Sequence, residues 1–149
     1  MTKYMEDLQV GEQFVSAGRT ITEADIVAFA GLSGDFNQLH TNEPWVRAHT
    51  PFRGRIAHGL LVLSISSGLA VPGLDELELL AYLEESRKMV APTYPGDTIH
   101  VQMIVEALRP SASRPNAGVV TFTVEVVNQD AQTVQQGVDV LLVSRGHNE

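Results

Sequence analysis

A chain of 149 residues is long enough for one domain with its own hydrophobic core, and we predict a single domain over residues 1–149. Its 44% hydrophobic and 19% charged residues are typical of a folded globular protein and argue against disorder. The formal net charge of -8, with only 10 scattered Lys and Arg residues, argues against a nucleic-acid-binding protein, and the absence of cysteine excludes disulfides and thiolate catalysis.

One strand and one helix are predicted first along the chain. Residues 14–21 are predicted to form the first strand. Thr22 followed by Asp25 is a variant of the capping box, and it predicts a helix over residues 23–33. Gly34 is a natural terminator of that helix.

The next segments predict a short helix, a loop and a long central helix. Asn42-Glu43-Pro44 is typical of a helix start, and residues 49–56 are predicted as loop. From residue 57 to about residue 70 nearly every side chain is apolar or small. A helix without a polar face must be surrounded by protein, so we expect it to be wholly buried. Its apolar run is well short of the roughly 20 residues that span a bilayer.

The second half of the chain predicts antiparallel strands. Ile99, Val101 and Met103 alternate with His100 and Gln102, as in a strand with one buried face. Similar runs separated by turn residues predict strands over residues 77–83, 99–108, 119–127 and 133–143. Helices followed by consecutive strands indicate an α+β domain, in which a curved antiparallel sheet wraps around the long buried helix.

Asp35 and His40 are the first candidate catalytic residues. Positions five apart diverge on a helix, so we predict that they lie on a loop that turns both side chains inward. An acid and an imidazole on either side of one water can add it to a double bond conjugated to a carbonyl, and we favour Asp35 as the base and His40 as the proton donor. The reaction also needs an N–H donor for the enolate oxygen, and the backbone of Gly59, at the start of the central helix, can supply it.

These residues lie in motifs that identify a resemblance. The runs FAGLSGDFNQLH over residues 29–40 and FRGRIAHGLL over residues 52–61 resemble the MaoC-like dehydratases and (R)-specific enoyl-CoA hydratases, which have a hotdog fold. The turn YPGDT over residues 94–98 resembles the Gly-Asp-Thr turn of the same family. The resemblance implies a hotdog hydratase domain in which Asp35 and His40 form the catalytic pair and the amide of Gly59 binds the thioester carbonyl.

The same resemblance suggests supporting roles. Asn37 matches an asparagine that holds the catalytic loop in register, and Ser64 matches a serine near the acyl pocket, although a hydroxyl bonded back to its own helix is an equal alternative. His58 is expected to donate to a loop carbonyl and fix the start of the helix. Gln38 replaces the usual proline, so the loop is less constrained unless its amide bonds to a neighbour.

Four further residues are candidates for contacts with the substrate, and Gln38 is one of them. Arg53 and Arg55 could meet coenzyme A phosphates, since an acidic protein must bind a polyanion through local cations, and Leu61 could line the acyl pocket. The histidine spacing is not that of a zinc-binding helix, so we predict no metal. We also predict no cofactor, because coenzyme A enters as part of the substrate.

The expected function is therefore reversible hydration of trans-2-enoyl-CoA to (R)-3-hydroxyacyl-CoA. The alternatives left open are a hotdog acyl-CoA thioesterase and a non-catalytic acyl-CoA-binding protein of the same fold. The resemblance also implies a homodimer, with higher oligomers possible in the family, and we expect no nucleic-acid or membrane partner. Residues 1–7 lack the apolar core of a signal peptide, which predicts a cytoplasmic protein.

Overall fold

The computed structural model describes residues 1–146, so residues 147–149 of the predicted domain lie outside the described part. A short 3-10 helix over Met5–Asp7 opens the chain. The α-helices in these residues are α1 (Glu23–Ser33), α2 (Gln38–Thr41), α3 (Glu43–His49) and α4 (Gly59–Ser67). The strands are β1 (Gln13–Val15), β2 (Arg19–Thr20), β3 (Leu79–Met89), β4 (Thr98–Pro110), β5 (Ala117–Val127) and β6 (Thr133–Ser144).

These strands form one curved antiparallel sheet in the order β1-β4-β5-β6-β3, with β2 paired to β4. Phe122 on β5 lies opposite Val105 on β4 and Asp139 on β6, which fixes the residues that share its face. That face packs with α4 into the main core, where Phe122 and Val62 are almost wholly buried. The predicted α+β class and the sheet packed against a central helix are confirmed.

The predicted helix over residues 23–33 is confirmed as α1 with the same bounds. Thr22 Oγ1 accepts the N–H of Asp25 at 3.1 Å, and the Asp25 carboxylate accepts the N–H of Thr22 at 2.8 Å. Gly34 ends the helix with φ of 76°, a conformation in which glycine has no steric cost. The chain therefore leaves α1 directly before Asp35.

The central helix differs from its prediction in length and in burial. α4 is shorter than residues 57–70, and Leu60 is 60% exposed while Leu61, Val62 and Ser66 are buried. The expectation of a wholly buried helix is therefore wrong for the single chain, because the sheet covers only one side of α4. Within residues 1–146, no helix is both long and apolar enough to cross a membrane.

The predicted first strand is interrupted. Ser16 lies between β1 and β2, and its hydroxyl accepts the N–H of Val101 at 2.8 Å while its own N–H donates to the carbonyl of Val101 at 2.9 Å. A side chain thus takes the place of a backbone acceptor, which breaks the run over residues 14–21 into two short strands.

β3 extends six residues beyond the predicted end at residue 83. The added segment carries Glu84, Glu85, Arg87 and Lys88, whose charges conceal the alternation expected of a strand. β3 is an edge strand, paired only with β6 in the described sheet, and an edge strand tolerates charged side chains that a central strand excludes.

Candidate active site

His40 is held by a single turn of helix rather than by the loop that the sequence predicts. Asn37 begins this turn by accepting the N–H of Leu39 at 2.9 Å, and α2 then carries His40 inward to 8% exposure. His40 Nδ1 lies 2.7 Å from the carbonyl oxygen of Ile56. Since a carbonyl only accepts, Nδ1 carries the proton, and in the neutral ring Nε2 carries the lone pair.

Asp35 faces that lone pair from outside the helical turn. Its Oδ2 lies 3.8 Å from His40 Nε2, while Oδ1 accepts the N–H of Asn37 at 3.1 Å. The distance is too long for a direct hydrogen bond and leaves both groups within reach of one water molecule. The Asp35 side chain is 50% exposed, so the pair opens towards solvent. The structure thus brings together the two residues that the sequence paired.

His58 supports both members of the pair. Its ring stacks on His40 with centroids 3.7 Å apart, and its Nε2 donates to the backbone carbonyl of Asp35 at 2.9 Å. The predicted contact of His58 with a loop carbonyl is therefore present. Burial is the largest effect on His40 and lowers its pKa, and the neighbouring His58 lowers it further. The hydrogen bond with the carbonyl of Ile56 and the charge of Asp35 raise the pKa, but the net shift is downward. His40 is accordingly neutral near pH 7.

Gly59 presents its backbone to the same space. It is the first residue of α4, whose N-terminus has no side-chain cap, and with His40 it lines a cavity of about 310 Å³. A first-turn N–H carries partial positive charge from the helix dipole, which suits a developing oxyanion. Gln135 Nε2 donates to the carbonyl of Gly59 at 2.7 Å and holds the start of the helix to the sheet.

The two amide side chains of the catalytic segment brace it rather than point to a ligand. Asn37 caps α2 through its side chain, a contact that fixes the start of this helical turn. Gln38 Oε1 accepts from Asn42 Nδ2 at 2.8 Å, and Asn42 in turn caps α3 at the N–H of Trp45. Gln38 therefore has the bonding partner that the absence of proline requires, and it does not line the catalytic cavity.

The two arginines proposed for substrate binding have different surroundings. Arg55 donates to Glu23 at 2.6 and 3.0 Å and to Glu43 at 3.0 Å, so it ties α1 to α3. These contacts favour a structural role for Arg55. Arg53 is exposed, and its guanidinium lies 4.1 Å from the ring centroid of Tyr94. Arg53 is thus the better placed of the two to meet an anion.

Two residues predicted near the acyl pocket, Ser64 and Leu61, do not line the cavity beside His40. Ser64 is exposed and donates back to the carbonyl of Leu60 at 2.7 Å, as the alternative interpretation had it. Leu61 is buried in the core instead of lining the catalytic cavity. Val62 lines that cavity instead, three residues after Gly59, a helical spacing that could have identified it.

Asp35, His40 and His58 also form the one group within the described residues whose ligand atoms could suit a metal, since they lie within 4.8 Å of one another. The two imidazole planes are stacked and only 27° apart. Lone pairs lie in the ring planes, so those of two stacked rings do not converge on one ion as zinc ligands must. The arrangement favours proton transfer over metal binding.

Comparison with known proteins agrees with this geometry. The family model described as the MaoC like domain matches residues 7–129. An (R)-specific enoyl-CoA hydratase of Rhodospirillum rubrum is 40% identical over 110 residues, which cover 72% of each chain. Protein MaoC of Klebsiella aerogenes is 38% identical over 101 residues, and the match spans only 30% of that longer protein.

Solved structures show the same architecture. The MaoC-like dehydratase of Rhodospirillum rubrum has a TM-score of 0.81 and 31% identity, covering 97% of this chain and 99% of the other. A Mycobacterium tuberculosis protein with a double hotdog fold has a TM-score of 0.85 and 20% identity, covering 99% of this chain and 46% of the other. The second likeness shows the fold alone, and the predicted hotdog fold is confirmed.

Proposed function

Because the chain belongs to the MaoC like domain family, we propose that it is a hydro-lyase that reversibly adds water to trans-2-enoyl-CoA and yields (R)-3-hydroxyacyl-CoA. The observation that carries the proposal is the 3.8 Å approach of Asp35 Oδ2 to His40 Nε2, with His40 and Gly59 lining the same cavity. The name of the Rhodospirillum rubrum relative supports both the reaction and its stereochemistry.

The proton of the added water passes through His40. Its Nε2 accepts one proton as the water oxygen bonds to C3, and the electron pair of the double bond moves towards the thioester oxygen. The imidazolium then returns the proton to C2, so water is added with no net gain or loss of protons. Asp35 accepts a hydrogen bond from the other O–H of the water and stabilises the imidazolium.

This assignment changes one role from the sequence-based hypothesis. His40 remains the proton donor to C2, but it replaces Asp35 as the first proton acceptor, because its Nδ1 is held by Ile56 and its Nε2 starts without a proton. The N–H of Gly59 binds the thioester oxygen as negative charge develops there. One such donor is worth about 3 kcal/mol of barrier in enzymes of known mechanism.

The decisive experiment follows loss of the conjugated enoyl absorbance with crotonyl-CoA in Asp35→Asn and His40→Gln. We expect each variant to fold and to lose activity by about 100-fold or more, as removal of a general acid or base does. His49→Gln is the matched control, because His49 is exposed, stacks on Trp45 and lies outside the cavity.

Near-normal turnover of either variant would refute the mechanism. Release of free thiol without loss of the double bond would identify a thioesterase instead. Binding of acyl-CoA with no change in the double bond or the thioester would identify a non-catalytic binding protein.

We also propose that the protein is a homodimer that joins its edge strands β3. In the single chain β3 exposes large apolar side chains, among them Leu80 and Leu83, and the outer face of α4 exposes Leu60. Pairing two edge strands would cover them and remove an edge that otherwise promotes aggregation. Sedimentation analysis tests this proposal. We expect the wild type to be a dimer and the Leu83→Asp variant to be a monomer, and a monomeric wild type would contradict the proposal.

A further inference from the structure

A cluster of charged side chains lies on the concave face of the sheet, away from the catalytic pair. Arg87 Nη1 lies 2.6 Å from Asp139 Oδ1, and Arg87 Nη2 lies 3.5 Å from Glu85 Oε1. The side chains of Arg87 and Asp139 are 2% and 7% exposed. Since the desolvation of buried ions offsets most of their attraction, stability alone does not account for this cluster.

The cluster lies further along the same face of α4 that begins at Gly59. Gly59 and Val62 line the catalytic cavity. Ser66, one turn beyond Val62 on that face, lines a second cavity of about 200 Å³, which Arg87 and Asp139 also line. The helix therefore passes from the catalytic cavity to the charged cluster without a change of face.

The strands beneath the helix show the same order. Met89 pairs with Gln135 and both line the catalytic cavity, while the next inward pair is Arg87 with Gly137, followed by Asp139. At about 3.3 Å per residue, the cluster lies roughly 7 to 13 Å beyond the Gly59 end of the sheet. An extended acyl chain with bonds of about 1.5 Å covers that distance in on the order of five to ten carbons.

The cluster has hydrogen-bonding capacity that its own members leave unused. Across residues 1–146, Arg87 Nε donates to no acceptor and Glu85 Oε1 accepts no hydrogen bond, and Asp139 Oδ1 lies close to Arg87 without hydrogen-bond geometry. Burial of the phenol, and then its hydrogen bond with the Asp139 carboxylate, raise the pKa of Tyr82, so the hydroxyl stays protonated and faces Asp139. Arg87 and Asp139 line the second cavity, so one unpaired donor and one unpaired acceptor belong to residues of its wall.

The charge balance distinguishes between polar groups. One guanidinium faces two carboxylates, so an anionic tail would meet a site with an excess of negative charge. A methyl terminus would leave buried polar atoms unpaired, which is costly. A neutral hydroxyl both donates and accepts, and it satisfies the cluster without adding charge.

We infer that the second cavity binds the distal part of the acyl chain and selects enoyl thioesters that carry a neutral hydroxyl near the far end of a medium-length chain. This inference rests on the proposed hydratase function and names its substrate class. It distinguishes hydroxylated chains from unsubstituted chains and from dicarboxylic chains.

The test compares the binding and the hydration of matched thioesters. Dissociation constants are measured by calorimetry for 8-hydroxyoctanoyl-CoA, octanoyl-CoA and suberyl-CoA, and kcat/KM is measured for their trans-2-enoyl forms and for crotonyl-CoA. We expect the hydroxylated chain to be favoured at least tenfold over both others in binding and in kcat/KM. Equal or weaker binding of the hydroxylated chain overturns the inference, whereas failure to hydrate crotonyl-CoA refutes the proposed function independently of that binding result.

Variants assign the preference to the cluster. Arg87→Met with Asp139→Leu removes both charges of the pair together and should reduce the hydroxyl-to-alkyl binding ratio to near one. Tyr82→Phe removes a single hydroxyl and should reduce the ratio at least threefold if the double variant does not fold. Lys88→Met, on the outward face of the same strand, is the matched control, and a ratio that survives in both cluster variants overturns the inference.

Discussion

Position 59 has two possible reasons to be glycine: the space taken by Met89 and the approach of the thioester to the backbone. Substitution of Gly59 distinguishes between them. A Cβ placed at Gly59 would lie 2.8 Å from Cγ and 3.2 Å from Cε of Met89. Met89 must then change rotamer, which costs about 1 to 3 kcal/mol as an overpacking penalty. Alanine regains about 1 kcal/mol of helix propensity over glycine, so we expect Gly59→Ala to lower the free energy of unfolding by roughly 1 kcal/mol.

The kinetic effect of Gly59→Ala is expected in KM rather than in kcat. Alanine keeps the N–H that we propose binds the oxyanion, while the displaced Met89 side chain enters the cavity that it lines. Met89→Ala in the same chain removes the collision, so the double variant should regain most of the lost affinity in a double-mutant cycle.

The assays for this cycle are urea denaturation and hydration of crotonyl-CoA. A large loss of kcat that Met89→Ala does not restore would refute this reasoning. That outcome would mean that the Cβ itself blocks the approach of the thioester to the backbone, as the sequence-based argument for Gly59 supposes.

Other variants test the elements around the site. Gln38→Pro should raise the free energy of unfolding by about 0.5 kcal/mol, as measured by urea denaturation. The reason is that Asn37 already has ψ of 142° and that proline suits the first helical position. A decrease of more than about 1 kcal/mol in the free energy of unfolding would contradict this prediction. Arg55→Met should lower the melting temperature with KM unchanged, whereas Arg53→Met should raise KM for coenzyme A thioesters with stability unchanged, and the reverse pattern would restore Arg55 as a ligand of the substrate. Burial places the pKa of His40 below the usual 6.5, and the neutral ring is the active form, so kcat/KM for hydration should be constant near pH 7 and fall only as pH drops through that lowered value; a fall already at pH 7 contradicts the assignment.

Local signals in the sequence predict the first helix and the proximity of Asp35 and His40 well. The capping box of Thr22 and the left-handed Gly34 act within a few residues, so the bounds of α1 follow from short-range chemistry. Asp35 and His40 are also close in sequence, which limits how far apart the fold can place them. The error was in their local conformation, because the cap at Asn37 nucleates one turn of helix that a five-residue spacing does not reveal.

Residues whose roles depend on strand register could not be found in this way. Gln135 reaches Gly59 from 76 residues away, and nothing local distinguishes it from the neighbouring Gln136, which faces outward. Arg87 and Asp139 are likewise ordinary surface charges when the sequence is read alone, and they become a buried pair only because β3 and β6 align them on one face. The proposed chemistry near the thioester therefore depends on a short motif, whereas the inferred preference for the far end of the acyl chain depends on the pairing of two distant strands. Substitutions in β3 and β6 should consequently change which acyl chain is bound while the catalytic pair stays the same.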